Sequence, residues 1–299
     1  MYMRRATAAP MLAPHYAPAG LEPRAPGAPI PARPAPAPPL SLRTPRVSVV
    51  IPARDEARNL PRLLAELPGG LHEVILVDGA STDDTVLAAR LARPDIRVLC
   101  QTGHGKGNAL ACGILACTGD ITVTLDADGS ADPAEIPDFV AALVHGADFA
   151  KGSRFLPGGG STDLTVLRRA GNAALVFLMN RVYHTAFSDL CYGYNAFWTR
   201  CSDALQLRAI AEAEPVFGDG FEIETMLAAH ASTARLTVAE VPSFEHDRRF
   251  GESHLRTWRD GRRVLRAILR ERRRAHAPAR EPLPRPSRAA TVPGTAGKP

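Results

Sequence analysis

Two aspartates separated by one residue, Asp126 and Asp128 in the run ITVTLDADGSADP, are the residues of this chain best suited to chemistry. The apolar run Ile121 to Leu125 before them reads as a strand, so both carboxylates arrive at a strand end. Carboxylates so placed can share one divalent cation with a bound diphosphate. Hard cations such as Mg²⁺ or Mn²⁺ take oxygen ligands and keep phosphate oxygens and water in their shell. Such a cation would stabilise a departing nucleotide diphosphate. An isolated Asp-x-Asp is more often a solvated loop, so the neighbouring segments decide its meaning.

Those segments alternate. Val47 to Ile51 is a largely β-branched run that predicts a buried strand, and Leu60, Leu63, Leu64 and Leu67 then recur at helical spacing before Pro68-Gly69-Gly70. Val74 to Val77 and Ile96 to Cys100 read as two more strands. Between them lies a helix carrying Leu87 and Leu91, which Ser81 or Thr82 is placed to cap. The loop GHGKGNA opens a helix through Ile114, and glycines with Lys106 at a helix start favour an anion. In the second half, Ala147 to Lys151 reads as a strand leading to GSRF, and residues 165–184 read as an amphipathic helix containing Leu167, Leu175, Leu178 and Met179. GDGFEIETMLAAH carries Glu222 and Glu224 into a further helix, and Leu236 to Val241 reads as a last strand. The alternation predicts an α/β fold, a mostly parallel sheet with helices on both faces in a single domain. Ligands of such sheets bind beyond the carboxyl ends of the strands, where the polar clusters after the first four strands all fall.

Composition bounds that domain. Residues 1–46 hold 12 of the 27 prolines and residues 275–299 hold six more, with few apolar residues to bury, so both read as disordered tails. That leaves about 46–275 as one folded domain, which closes with 256–274, a basic amphipathic helix, RTWRDGRRVLRAILRERRR. Its nine arginines face only Asp260 and Glu271. No run approaches the roughly 20 apolar residues that span a bilayer. The basic helix, with Trp258, Leu265, Ile268 and Leu269, is instead a candidate peripheral anchor on anionic lipid, against the plainer reading of a helix packed on the domain. With Trp258 the one ring near the arginines, a nucleic-acid surface is not expected. Five cysteines without a CxxC pair read as reduced residues of a cytoplasmic protein.

Four pieces stand in one order, V-V-I-P-x-x-D-E, V-D-G-x-S-x-D-D-T, G-x-G-x-A and L-D-A-D. In this the chain resembles the family-2 glycosyltransferases with the GT-A (Rossmann-like) fold, and among them the polyprenyl (dolichol) phosphate mannosyl- and glucosyltransferases. The resemblance implies metal-dependent, inverting transfer of a hexose from a nucleotide sugar of the GDP-mannose or UDP-glucose type to a polyprenyl phosphate, on the inner face of the cell membrane. Nucleotide-sugar contacts carry over to Pro52, Arg54, Glu56, Asp78, Lys106, Asp126 and Ala127, and Mg²⁺ or Mn²⁺ to Asp126 and Asp128. Gly79 stands where many relatives have a second aspartate, and Ser130 where lipid-phosphate relatives place Gln or His. Gly152-Ser153-Arg154, with Arg168 and Arg169, matches the acceptor side, because the guanidinium fork can bind two phosphate oxygens at once. GGGSTD (158–163) is expected to be a mobile loop over the site.

DLCYGYNAF resembles the family's D-x-x-x-G-[FY] segment and makes Asp189 a site residue. A phosphate acceptor is already anionic near neutral pH, so Asp189 is expected to position rather than act as a base. Glu222 and Glu224 match a further segment, one of them expected to face the helix interior or a structural arginine. RRFGESH resembles R-x-x-G-x-S-K, with Arg248, Gly251 and Ser253 in place and His254 for the lysine; it is expected to close over the diphosphate with Arg248 as its main cation. The alternatives are a glycosyltransferase with a soluble acceptor and a non-catalytic nucleotide-sugar binder.

Overall fold

In a computed structural model, residues 44–212, 214, 217–251 and 257–276 are described. The tails expected at 1–46 and 275–299 lie almost wholly outside them, as do Ser253 and His254 and the side chain of Trp258.

The apolar runs form strands where the pattern puts them. In chain order the elements are β1 (Val47–Ala53), α1 (Leu60–Glu66), β2 (Glu73–Asp78), α2 (Thr85–Ala92), β3 (Arg97–Cys100), α3 (Gly105–Leu115), β4 (Ile121–Thr124) and α4 (Ile136–Val144). Then follow β5 (Phe149–Ser153), β6 (Gly160–Ser161), α5 (Val166–Tyr183), β7 (Asn195–Trp198), α6 (Ile223–Thr233), β8 (Val238–Pro242), β9 (Phe244–Glu245) and α7 (Thr257–His276). Seven strands make one sheet in the order β3-β2-β1-β4-β7-β5-β8, and β6 pairs with β9 in a small ribbon. All pairings in the large sheet are parallel except those of β7, which runs antiparallel to β4 and β5.

Successive strand residues point to opposite faces, and both faces are covered. Val49, Ile51, Leu76 and Val123 pack with Leu60, Leu63 and Leu64 of α1 and with Phe139 and Leu143 of α4. Val50, Ile75 and Val77 pack with Leu110 and Ile114 of α3 and Met226 and Leu227 of α6. On that second face α3 lies close to the sheet. A Cβ on Gly113 would stand 2.4 Å from Val50 Cγ1 and 2.8 Å from Val77 Cγ2, so the helix needs glycine there. Outside α6, the helices α5 and α7 pack together through Met179, Tyr183, Val264 and Ile268. Among the described residues no helix is long and apolar enough to cross a membrane, and all five cysteines are free.

Two local expectations give way, and one strand is unannounced. Ser81 and Thr82 do not cap α2, whose N-cap is Asp84 without a side-chain cap; they bind Asp55 instead. The glycine-rich segment 158–163 is pinned: Gly160–Ser161 pairs with Phe244–Glu245, and a Cβ on Gly159 would meet Ser153 O at 2.5 Å. Its glycines serve close packing of backbone on backbone. Strand β7, hidden in CYGYNAFW, was not announced by any apolar run.

Phe149 is buried and stacks on Phe197 with ring centroids 5.7 Å apart, tying β5 to β7. Phe149→Ala is expected to cost about 3–5 kcal/mol by transfer loss and cavity formation, read as a lowered urea midpoint with an unchanged slope.

Candidate active site

Beyond the carboxyl ends of β1, β2 and β4 the polar loops enclose a cleft of about 850 Å³. Its walls include Pro52 near the end of β1, Arg54 and Glu56 after it, Asp126, Ala127 and Asp128 after β4, and Lys106 from the first turn of α3. That volume lies in the upper part of the range for small-molecule sites.

The loop after β1 is braced by the loop after β2. Asp55 adopts φ 57° and Oδ1 accepts from the amide (2.6 Å) and hydroxyl (3.1 Å) of Thr82, while the Ser81 hydroxyl accepts from Asp55 N at 3.0 Å. The Thr82 amide above all holds the Asp55 carboxyl below its ordinary value. Asp78 is buried and receives the Ser81 amide, so it shapes this loop rather than lining the cleft.

Each aspartate of the pair already faces a cation. Asp126 takes Lys106 Nζ at 2.7 and 2.8 Å on its two oxygens, and the same ammonium lies 3.1 Å from Glu224 Oε1. Burial opposes the lysine's charge, yet Asp126 and Glu224 hold its pKa above the usual range. Burial pushes the Glu224 carboxyl up against that ion pair, and Asn195 Nδ2 donates to its other oxygen at 2.8 Å. Asp128 Oδ1 receives the Ser130 amide at 3.0 Å, and Oδ2 stands 3.6 Å from Arg248 Nη1. Arg248 also pairs with Glu56 and donates to Phe250 O. Burial raises the Glu56 carboxyl despite Asn59 and Arg248.

Counted as ionised, Glu56, Asp126, Asp128 and Glu224 face Lys106 and Arg248, leaving a formal charge of −2. The donor set of Asp126 and Asp128 is all carboxylate oxygen, which fits Mg²⁺ or Mn²⁺. Among the described residues no group of three or more His, Cys, Asp or Glu could hold a metal by itself. The fit is therefore to a cation that completes its shell with ligand oxygens.

At the helix start in GHGKGNA, where the sequence suggests an anion, the Gly107 amide is already taken. Gly107 N donates to Asp219 O at 2.8 Å, and Cβ atoms on Gly105 and Gly107 would stand 2.2 and 1.8 Å from the carbonyl oxygens of Asp219 and Gly218. The glycines let the loop before α6 pack onto the helix, while Gly105, Lys106 and Ala109 line the cleft.

On the acceptor side the structure separates residues that the sequence grouped. Arg154 is nearly buried: Nε and Nη2 bind the two oxygens of Asp189 at 2.7 and 3.0 Å, and Nη1 binds Glu245 at 3.0 Å. Three of its N–H groups are taken up in these pairs and Asp189 is completely buried, while Arg154 itself still lines the cleft. Arg168 lines the cleft and pairs with Asp163 at 2.7 Å. Arg169 does not line it; its guanidinium lies 5.6 Å from the Phe155 ring. Glu222 is buried on Arg263, whose hydrogen bonds overcome the effect of burial and hold its carboxyl low.

Gly193, Gln101 and Tyr192 line the cleft as well and were not singled out as site residues. A Cβ on Gly193 would stand 2.7 Å from Lys106 Nζ and 3.0 Å from Asp126 Oδ2, so the glycine of the D-x-x-x-G-[FY] segment makes room for the ion pair. Gln101 sits beside Gly79, its Oε1 3.6 Å from where a Cβ on that glycine would be. The Gly79 gap was the signal that could have pointed to it.

Comparison with known proteins agrees with the geometry. The family model described as Glycosyl transferase family 2 matches residues 48–206, more than half of the chain. An uncharacterized glycosyltransferase of Mycobacterium tuberculosis is 42% identical over 108 residues, covering 36% of this chain and 48% of that protein, so the match spans about half the relative's length. An undecaprenyl-phosphate mannosyltransferase of Micrococcus luteus is 33% identical over 221 residues, covering 70% of this chain and 87% of that protein. The fold is similar to that of glucosyl-3-phosphoglycerate synthase from Mycobacterium tuberculosis in complex with Mn²⁺, UDP and glucosyl-3-phosphoglycerate, with a TM-score of 0.56, 21% identity, and coverage of 76% of this chain and 80% of that one.

Lys106→Met leaves Glu224 buried with Lys151 and Asn195 as its remaining support. Breaking a buried pair in this way is expected to cost about 3–5 kcal/mol near pH 8. The Glu224 carboxyl, raised by burial above its ordinary 4.5, is then raised further. The folded state therefore binds its proton more tightly than the unfolded chain does, and the penalty shrinks as the pH falls toward 5. Urea unfolding of both proteins at the two pH values checks this; a pH-independent difference would remove Glu224 from the account.

Proposed function

We propose, on the premise that this chain belongs to glycosyl transferase family 2, that it moves a hexose from a nucleoside diphosphate sugar to a polyprenyl phosphate, with inversion at the anomeric carbon. The observation that carries this reading is one continuous cleft. Its lining includes the aspartate pair with Lys106 and Arg248, and also Leu164 just before α5, Leu175 of α5 and Val264 of α7. A phosphorylated head and a hydrocarbon tail need both kinds of surroundings. The named acceptors of the undecaprenyl-phosphate relatives support the same choice.

In this reading the nucleotide lies along Pro52, Arg54 and Glu56, with Asp78 shaping the wall and Gln101 beside Gly79 facing the base. Asp126 and Asp128 would hold Mg²⁺ or Mn²⁺, which when bound neutralises charge on the leaving diphosphate as a Lewis acid. Arg248, beside Asp128, would direct its guanidinium to the same diphosphate. Lys106 stays between Asp126 and Glu224 and holds the first carboxylate in place. An acceptor phosphate oxygen attacks the anomeric carbon as the bond to the diphosphate breaks on the opposite side. That oxygen carries no proton near neutral pH, so no general base is required. Asp189, locked on Arg154, positions the loop that presents the acceptor, and Arg168 meets its phosphate. Residues 47–255 then form the catalytic domain, with α7 closing one side of the acceptor end.

Purified protein is incubated with Mn²⁺, polyprenyl phosphate and labelled UDP- and GDP-hexoses, and label entering the organic phase is counted. EDTA-sensitive transfer is expected for one donor. Asp128→Ala is expected to lower turnover by at least ~100-fold, the scale on which one preorganised stabiliser acts. Near-normal turnover in that variant would sink the mechanism. Donor hydrolysis without organic-phase label would move the acceptor to a soluble molecule.

A further inference from the structure

The outer face of α5 has no partner among the described residues. Val166, Ala170, Ala173, Ala174 and Phe177 recur every three to four residues on the side opposite buried Asn172, Met179 and Tyr183, and all five are exposed. Val166 is 85% exposed, Phe177 73% and the adjoining Leu167 54%. The stripe runs for about 16 Å at the helical rise of 1.5 Å per residue. A helix facing water carries polar residues on such a face; α5 contains no acidic residue at all, and Arg169 and Arg181 flank the stripe.

The neighbouring helix continues the pattern. Half of the apolar set on α7 is turned inward: Val264, Ala267 and Ile268 are buried, and Tyr183 donates to Ile268 O at 3.0 Å. Leu265 and Leu269, 40% and 42% exposed, remain outside among the exposed arginines Arg262, Arg266 and Arg273. Glu271 is buried against His230 and does not offset them. The inner sides of the same two helices, through Arg168, Leu175 and Val264, line the acceptor end of the cleft.

We infer that the outer faces of α5 and α7 together are a membrane-docking surface for anionic lipid, with Phe177 and Val166 inserted among the acyl chains and the arginines at the headgroups. This rests on the lipid-acceptor reading and adds the surface that brings the cleft to the bilayer. Charge complementarity selects the occupant. A second copy would bring the same arginines against themselves across a two-fold axis. The chain's own ends are also basic, with Arg4, Arg5, Arg24, Arg33 and Arg43 against Glu22 before the domain and Arg280, Arg285, Arg288 and Lys298 against Glu281 after it. An apolar stripe rimmed by arginine matches an anionic interface, where apolar burial and charge attraction add.

The full-length protein is sedimented with vesicles of phosphatidylglycerol and phosphatidylcholine in equal parts, and with phosphatidylcholine alone. Binding is expected to the anionic vesicles and to weaken with salt. Phe177→Glu, and separately Val166→Glu, are expected to lower it about 10-fold or more, since burying one such side chain is worth at least one factor of ten. Leu91→Glu, at a 74% exposed leucine of α2 on the other face of the sheet, is expected to bind as the parent does. EDTA-sensitive donor hydrolysis without vesicles is measured in parallel and is expected to be equal in all four proteins. A parent that stays in the supernatant, or α5 variants that sediment with it undiminished, overturns the docking surface while leaving the glycosyltransferase reading intact if hydrolysis persists. Absence of hydrolysis and transfer in the parent would instead refute that reading. A parent that sediments as a dimer without vesicles, and that Phe177→Glu renders monomeric, overturns the proposal in favour of a self-interface.

Discussion

The ammonium of Lys106, held between Asp126 and Glu224 with little access to water, is the interaction on which the site depends. Three segments meet at that one charge: the start of α3, the end of β4 and the first turn of α6. A desolvated cation tolerates such a place only if its carboxylates stand close and are themselves held. Asn195 holds Glu224, and the bare backbone of Gly193 leaves the space. The glycines around Lys106 follow from the same demand, because α3 must start hard against residues 218–220 for its lysine to reach the cleft. The direction of Asp126 is thereby settled without a ligand, while Asp128 keeps one oxygen toward the looser Arg248. A formal −2 around the pair is the charge that a divalent cation offsets.

The antiparallel strand explains how the second half of the chain joins this arrangement. The parallel strands all end at the cleft, so a further parallel strand would bring its end there and its start to the opposite edge. Because β7 runs the other way, its first residue, Asn195, lies opposite Thr124 at the end of β4. The loop 189–194 therefore enters the site, with Gly193 beside Asp126 and Asp189 under Arg154. Strand β8, parallel to β5 with Pro242 opposite Ser153, then delivers β9 and, beyond it, Arg248 to the same edge. One reversed strand thus puts residues from more than a hundred positions apart around one cleft.

How much of this was legible follows from the range of the interactions. Strand ends and the aspartate pair are local patterns, and they stood in the sequence: β1, β2, β4 and the loops after them form where the apolar runs place them. The role of a charge is a matter of its partner, and most partners here are remote. Arg154 reads in the sequence as a phosphate ligand, and only the fold shows that Asp189 and Glu245, 35 and 91 positions away, hold it where it lines the cleft. Arg168 and Arg169 are adjacent, and only the helix orientation sends one to the cleft and the other over Phe155. Glu222 and Glu224, two residues apart, part for the same reason, toward Arg263 and toward Lys106. Glycines misled most: in the α3 loop and in 158–163 they suggested anion binding and motion, whereas both segments use the missing Cβ for close packing. β7 was illegible because NAFW has no β-branched residue, unlike the equally short β3 and β4.

The basic helix was open between an anchor and a packed element, and its geometry answers that the two are compatible. Val264 and Ile268 give α7 a fixed place against α5 and α6, which a freely inserting helix would lack. Leu265, Leu269 and the arginines between them then have a defined outward direction, fixed relative to the cleft rather than to the chain. An enzyme that takes its acceptor from a lipid surface needs that rigidity, because the phosphate must enter at a set depth beside Arg168. A tether alone would raise the local concentration without fixing the depth. In the proposed reading, packing α7 against α5 would supply both, since the helices proposed to face the headgroups also line the cleft through Leu175 and Val264.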